Sequence, residues 1–457
     1  MANLIQKKRI LAFFKSPQTL VIVGFAGLIL VGALLLVLPW SHAPGKVGFV
    51  DALFTSTSAV CVTGLVVVDT ATDYTFFGQL VIMLLIQAGG LGVMTFAALA
   101  FQTLGRRLSL QSQAVLHDTF FQRDVAGEFQ RTFKSILAVT FAIEGTGALL
   151  LFLFALSAVE PDRAVFCAIF HSISAFCNAG FSTFSENLMA LKSDTGFLTV
   201  IMTLIVLGGI GYTVLNELWV SSRRAARREL GLRPRRFSLH ARLVMTITAI
   251  LIVGGGLFLL ICGLTPDETS PLEKLVHAMF QSVTARTAGF NSIDIGRMPS
   301  ASLFILILLM FVGGSPGSCA GGVKTTTLGI WWARFMAGLR ERRDVRLLDR
   351  GLPEELTRRS DVIVALAVLW NIAGILFLLT TQSDIRVQAL DLIFEQVSAF
   401  GTVGLSTGVT PKLTVAGKLW IIATMFVGRL GPLTIAMWMI PPDTVHVRHP
   451  KGTVMIG

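Results

Sequence analysis

A chain of 457 residues that is 53% apolar and only 14% charged, with a mean hydropathy of +0.72, lies outside soluble-protein composition and excludes a soluble enzyme with one anchor. Its long uncharged stretches mark a polytopic, all-α integral membrane protein. The net charge of +11 would suit a nucleic-acid partner, but the basic residues stand in short runs between apolar segments, which places loops rather than polyanions; no nucleic-acid partner is expected.

The N-terminus is basic (Lys7, Lys8, Arg9, Lys15), and the apolar run that follows over 20–38 ends in Leu38-Pro39-Trp40 rather than at a small-residue cleavage site, so it is read as a retained first span. Further full-length apolar segments fall at 77–101, 134–157, 197–218, 241–263, 361–380 and 414–440, and an eighth, broken one at 301–335. Between successive pairs lie amphipathic segments at 50–60, 164–176, 273–284 and 390–399, each under ~20 Å as helix at 1.5 Å per residue. They enter a membrane without crossing it. With eight spans counted, Lys7 to Lys15, the loop from Gly105 to Lys134, the loop from Arg223 to Arg242, the stretch from Arg334 to Arg359 and the tail with Arg448 and Lys451 share one face. That face, with both termini, is expected to be cytoplasmic. The four short segments then approach from outside.

Each short segment leads into a similar tip: Val62-Thr63-Gly64-Leu65, Asn178-Ala179-Gly180-Phe181, Thr287-Ala288-Gly289-Phe290 and Thr402-Val403-Gly404-Leu405. The tip glycines are 116, 109 and 115 residues apart, an internal repeat on the scale of two spans. Phe54, Phe170, Phe280 and Phe394 precede the tips at matching places, as do the pairs Ser58-Ala59, Ser174-Ala175, Thr284-Ala285 and Ser398-Ala399. A second mark recurs in each following span: Gly89-Gly90, Gly208-Gly209, Gly313-Gly314 and Gly428-Arg429. These span glycines alone are equally well read as close helix packing. An even number of crossings per unit makes the repeats parallel. The expected architecture is therefore eight transmembrane helices plus four re-entrant pore helices, as span-pore-span repeats over 1–104, 105–222, 223–340 and 341–457 in pseudo-fourfold array.

A monovalent cation leaving water needs its hydration shell replaced, and uncharged backbone carbonyls do this without trapping it. Gly permits the non-helical backbone that aims them. Val62, Thr63, Gly64, Asn178, Ala179, Gly180, Thr287, Ala288, Gly289, Thr402, Val403 and Gly404 are the candidate ion-binding residues; they carry no carboxylate ring of the kind a divalent ion takes. In the third unit the apolar stretch 301–312 is too short to cross, and Gly313, Gly314, Ser315, Pro316, Gly317, Ser318, Gly321, Gly322 and Lys324 follow as an unwound loop, a candidate gate or static packing loop.

Arg429 stands where the other units carry Gly90, Gly209 and Gly314, and is expected either to face the axis as a fixed positive charge or to bind carbonyls of the broken span. Arg286 and Glu395, beside tips three and four, are a candidate buried pair, and Glu144 is a further ionisable group at membrane depth. His171 and His277 are read as satisfied helix-start residues rather than metal ligands. His42, His117, His240, His446 and His449 are read as loop residues. Cys61, Cys167, Cys177, Cys262 and Cys319 lack metal-ligand spacing, and no nucleotide or hydrolase motif occurs in a suitable context; no enzyme activity and no cofactor in this chain are expected.

The four tips in this order, the loop from Gly313 to Thr327 and Gly428-Arg429-Leu430-Gly431-Pro432 together resemble the TrkH/TrkG/KtrB superfamily of potassium-uptake proteins over nearly the whole chain, and most of all its KtrB branch, because the first span starts near residue 20. The resemblance implies potassium uptake as the function, with K+ as substrate and Na+ as a candidate coupling or activating ion. It implies a homodimer with one pore per subunit in the bacterial cytoplasmic membrane, opened by a cytoplasmic nucleotide-binding ring of KtrA/TrkA type docked on the basic face. Gly at all four tips matches the potassium-selective pattern; family members with Ser at the first tip tend to pass sodium. No tip reads Thr-Val-Gly-Tyr-Gly, so fewer stacked ion sites are expected than in multi-subunit potassium channels. The rivals are a sodium-permeable or sodium-coupled transporter of the same superfamily, a secondary solute transporter, which would need paired inverted halves, and a membrane-embedded enzyme, which would need intramembrane His/Asp/Glu constellations.

Overall fold

Glycines at matched places in the long helices let short helices dock against them, and this repeats around the molecule. The structure, a computed structural model, describes residues 17–103, 129–156, 160–226, 237–264, 270–342, 344–348, 350–382 and 387–439. The basic N-terminus, most of the two basic loops before Lys134 and Arg242, and the tail with Arg448 and Lys451 lie outside the described residues, as do His117, His446 and His449.

In chain order the helices are α1 (Pro17–Val37), α2 (Phe49–Val60), α3 (Phe76–Thr103), α4 (Phe129–Ala155), α5 (Pro161–Phe176), α6 (Thr195–Gly209), α7 (Tyr212–Ala226), α8 (Leu239–Cys262), α9 (Pro271–Thr284), α10 (Ser300–Phe311), α11 (Thr325–Leu339), α12 (Glu354–Thr381), α13 (Ala389–Gly401), α14 (Val415–Leu430) and α15 (Pro432–Met439). One antiparallel two-stranded hairpin, β1 (Arg346–Leu347) and β2 (Arg350–Gly351), joins α11 to α12 and pairs Arg346 with Gly351. The short helices α2, α5, α9 and α13 coincide with the four amphipathic segments of the sequence pattern. Pro161 and Pro271 start α5 and α9 where a missing N–H costs nothing.

All four short helices dock on a glycine of the preceding long helix, and α2, α5 and α13 are held from a second side as well. Gly32, Gly147, Gly255 and Gly374, on α1, α4, α8 and α12, lie where any side chain would strike Ser56, Ser172, Ser282 and Gln396. In the first three the close approach is sealed by hydrogen bonds, the hydroxyls of Ser56, Ser172 and Ser282 donating to the carbonyls of Ile29, Glu144 and Ile252 at 2.7, 2.6 and 2.7 Å; in the fourth, Gln396 Oε1 accepts at 3.0 Å from the Trp420 indole of α14 instead. On the other side Gly89, Gly208 and Gly428 press against the carbonyls of Val60, Phe176 and Phe400. The packing reading of these span glycines therefore holds, and its purpose is to let the C-terminal turn of a short helix sit directly on a neighbouring backbone.

One expectation is corrected. The segments 77–101, 197–218 and 414–440 read as continuous spans, yet each is broken just past its Gly mark, at Gly92 (φ 81°), Gly211 (φ 87°) and Gly431 (φ 86°). Between α6 and α7 the bend is 106°. Apolarity cannot register the break, because a positive-φ glycine changes direction without changing hydropathy. Among the described residues three unbroken helices, Lys134–Ala155, Leu239–Cys262 and Glu354–Thr381, are long and apolar enough to cross a membrane, or four with the bent pair counted as one. The third unit differs from the others in degree: there the break widens into the segment between Phe311 and Thr325.

Candidate functional site

Each short helix ends in a residue forced into the left-handed region: Val62 (φ 55°), Asn178 (φ 60°), Thr287 (φ 76°) and Thr402 (φ 50°). For β-branched Val and Thr this costs of order 1–3 kcal/mol apiece, and such strain persists where the surroundings over-determine it. Two residues on, Gly64, Gly180, Gly289 and Gly404 are again at positive φ (93°, 68°, 78° and 94°), while the residue between keeps negative φ. Alternation of this kind turns successive carbonyls of one strand toward the same side.

The tips meet. A side chain on Gly64 would strike the Ala179 carbonyl, one on Gly180 the Ala288 carbonyl, one on Gly289 the Val403 carbonyl, and one on Gly404 the Thr63 carbonyl. The same added atoms would lie only 3.1, 2.9, 3.1 and 3.0 Å from the Cα of the next tip glycine. The four glycines thus form a closed ring in the order of the chain, lined by main chain. All twelve tip residues proposed from sequence stand in this ring or border it.

Side chains tie the ring to the short helices. Ser58 Oγ accepts from Gly64 N at 3.0 Å, and Ser398 Oγ accepts from Gly404 N at 3.1 Å while donating to Leu405 O at 2.7 Å. Ser174 and Thr284 donate to the carbonyls of Phe181 and Phe290 at 2.8 and 2.7 Å. The Asn178 amide, oriented to satisfy both its ends, donates to Ala175 O (3.0 Å) and Ile205 O (3.1 Å) and accepts from the Thr287 hydroxyl (3.2 Å), joining tip two to tip three. The buried Thr63 and Thr402 hydroxyl oxygens have no hydrogen-bond partner among the described residues.

The segment from Val312 to Lys324 lies directly against the ring. Added side chains on Gly313 and Gly322 would come within 3.3 Å of Thr287 Cγ2 and 3.2 Å of Gly401 Cα, and one on Gly321 would strike Thr402. Its backbone is docked on the breaks of other units: Ser315 N donates to Gly209 O (3.0 Å), Cys319 N to Gly208 O (3.4 Å) and Gly322 N to Gly428 O (3.3 Å), while Gly317 O accepts from Tyr212 N (3.1 Å). Within the segment, Gly313 N meets Val323 O (2.9 Å), Ser315 Oγ meets Thr325 Oγ1 (2.9 Å), Ser318 donates to Ser315 O (2.6 Å), and Lys324 Nζ donates to Ala320 O. Pro316 begins the turn that Gly317 completes at φ 74°.

Arg429 binds two carbonyls, one of them in the broken span. Its guanidinium donates to Cys319 O in the segment and to Gly89 O in the first unit, so a single residue bridges the loop to α3. The break past Gly89 and Gly90 supplies a carbonyl turned toward Arg429 that a continuous helix would have used internally.

Other expectations change. Arg286 and Glu395 are both buried but do not pair: Glu395 instead accepts hydrogen bonds from Ser406 and from Thr410 Oγ1 (2.7 Å). His171 and His277 lie mid-helix in α5 and α9 rather than at a helix start; His171 Nε2 is 2.9 Å from Ser182 Oγ and His277 Nδ1 is 2.9 Å from Ser292 Oγ. Glu144 accepts from Gln87 Nε2 (3.1 Å) and from the Cys177 thiol (3.8 Å), a brace between the first two units. Ser182, Ser406 and Thr410 went unnoticed in the sequence, although the two serines occupy the same place, second after a tip glycine. The Lys418 to Asp51 ion pair (2.8 Å), which joins α14 to α2, carried no local signal.

The chain matches the family described as TrkH: Cation transport protein over residues 14–446. It is 39% identical over 461 residues to the Ktr system potassium uptake protein B of Bacillus subtilis, covering 99% of this chain and 100% of the relative. It is 34% identical to the potassium/sodium uptake protein NtpJ of Enterococcus hirae over 461 residues, with the same 99% and 100% coverage. The crystal structure of the potassium transporter TrkH from Vibrio parahaemolyticus superposes with a TM-score of 0.72 over 92% of this chain and 84% of that one, at 19% identity, which shows the fold. With a family match over nearly its whole length and relatives above 30% identity, the chain belongs to the TrkH family of cation transport proteins.

Proposed function

We propose that this chain carries potassium ions inward across the bacterial cytoplasmic membrane, through the ring formed by Thr63-Gly64, Ala179-Gly180, Ala288-Gly289 and Val403-Gly404. The single observation that carries the reading is the closure of that ring, each tip glycine facing the carbonyl of the next. Main-chain oxygens replace hydration without adding net charge, which suits a monovalent ion that must also leave. The name of the Bacillus subtilis relative supports potassium as the substrate.

The arrangement we infer is eight spans and four re-entrant helices in four parallel repeats, with boundaries at 104/105, 222/223 and 340/341, around an axis along the membrane normal. Both termini are cytoplasmic in this reading. The loop with Gly313, Gly314, Ser315, Pro316, Gly317, Ser318, Gly321, Gly322 and Lys324 acts as the gate, pinned by Arg429. A homodimer and a KtrA/TrkA-type nucleotide-binding ring on the basic face complete the system.

A second reading has one specific support, the potassium/sodium name of the Enterococcus hirae relative: sodium permeates or couples to flux. Growth of a potassium-uptake-deficient bacterium at low potassium tests transport. Rubidium uptake into proteoliposomes with and without sodium separates the two readings; uptake that needs sodium, or sodium flux equal to rubidium flux, favours the second.

A further inference from the structure

Outside the ring, one contact recurs in two of the four units. The residue that follows the buried Phe of each short helix is Thr55, His171, Gln281 or Glu395, and the second residue after each tip glycine is Val66, Ser182, Asn291 or Ser406. In the second unit His171 Nε2 lies 2.9 Å from Ser182 Oγ; in the fourth, Ser406 Oγ donates to Glu395. Each serine also accepts a backbone N–H two residues further on, from Phe184 at 3.0 Å and from Gly408 at 2.9 Å. The titratable partner is fully buried in both cases.

The chemistry at the two positions differs, but the mechanics are the same. His171 Nδ1 lies 2.8 Å from the Cys167 carbonyl, which can only accept, so Nδ1 carries the proton and Nε2 of the neutral ring accepts from Ser182. The ring is packed against Phe184 at a centroid distance of 5.0 Å and cannot swing away. Glu395 takes a second hydroxyl, Thr410, at 2.7 Å. Because Ser174 and Ser398 already hold the carbonyls of Phe181 and Leu405, the exit strands of tips two and four are fixed to their short helices at two successive points. The chain order of the ring puts these two clamped tips opposite one another. In the first and third units the Thr55 hydroxyl and both Gln281 amide atoms make no such bond; the third unit is tied one helical turn earlier instead, from His277 to Ser292.

We propose that His171 and Glu395 are positioning residues for ion discrimination: acting through Ser182 and Ser406, they stop two opposite sides of the ring from closing on a smaller cation. The inference rests on the transport reading above. A carbonyl ring that can shrink follows a sodium ion inward and loses its preference, whereas a ring whose opposite tips two and four are both held, with tip three tied between them by Thr284 and His277, keeps the wider spacing.

The test is rubidium uptake into proteoliposomes made with the full chain, measured as half-saturation, maximum rate and inhibition by sodium. Glu395→Leu and His171→Leu should each reduce the preference for rubidium over sodium by about tenfold, the scale of one lost hydrogen bond, with a smaller effect on maximum rate per folded protein. Glu395→Gln and His171→Gln, which keep a group able to bond the serine hydroxyl, should recover most of the preference. Gln281→Leu, at the matching position without a bond, should leave it unaltered. If a leucine variant fails to insert, Ser406→Ala and Ser182→Ala decide from the other side of each contact. Unchanged preference in the leucine or alanine variants, or an equal loss in Gln281→Leu, overturns the clamp. Absence of rubidium uptake by the parent chain would instead overturn the transport reading.

Discussion

The carbonyl oxygen of Thr63 occupies the place that a side chain on Gly404 would need, and this joins the last tip of the chain back to the first. An ion path through one polypeptide requires such a closure, since an open arc of carbonyls would admit lipid or water at the gap. Gly404 also sits at φ 94°, where an alanine costs about 1–2 kcal/mol before any collision. Gly404→Ala should therefore abolish rubidium uptake, whereas Gly254→Ala, in the open interior of α8 with nothing within 4 Å, should leave uptake near the parental rate. Uptake into proteoliposomes, normalised to folded protein, checks both.

Ser398 serves two groups of one tip, the Gly404 amide and the Leu405 carbonyl. Ser398→Ala leaves both without their side-chain partner in a buried place. A loss of about 1–3 kcal/mol is expected, read as a fall in melting temperature in detergent. Ser398→Thr keeps the hydroxyl and should lose less.

Arg429 holds two carbonyls from parts of the chain far apart in sequence, Gly89 and Cys319. Arg429→Met should raise rubidium flux, because the loop loses its pin, and should also lower the melting temperature; each charge-assisted bond contributes about 1.5–3 kcal/mol. Arg429→Lys presents a point charge in place of a fork, reaches one carbonyl well, and should fall between. A decrease in flux with unchanged stability would contradict the pinning role.

Replacing residues 315–322 by a short glycine linker is feasible without tearing the fold, since Val312 and Val323 already form a bridge and Gly313 N bonds Val323 O at 2.9 Å. The shortened chain should conduct rubidium at a high rate that no longer depends on a regulatory partner. Stopped-flow flux measurements compare it with the parent; an unchanged rate assigns the loop a packing role only.

Much of the site could be read in advance. Val62 to Leu65 and its three counterparts are local signals: a residue that combines positive φ with contact between its backbone and a neighbouring backbone has room only for Gly, and a Gly stands at that place in every repeat. The breaks at Gly92, Gly211 and Gly431 were not legible, because apolar content measures burial and is blind to direction. Nor was the choice of partner for Glu395: Arg286 and Ser406 are both near it along the repeat pattern, and only the facing of side chains settles which one bonds.

The amino-acid order by itself determined that the chain is apolar enough to live in a membrane, that four short helices end in glycine tips, and that one span carries a loop and another an arginine. These follow from composition, period and the conformational freedom of single residues, all properties of short stretches. The tertiary structure alone decided that the tips close into a ring, that Arg429 grips Gly89 and Cys319, and that Ser182 and Ser406 are bonded on opposite sides. Each of those contacts depends on the direction in which backbone and side chains point after distant segments have packed, and direction has no counterpart in a linear pattern.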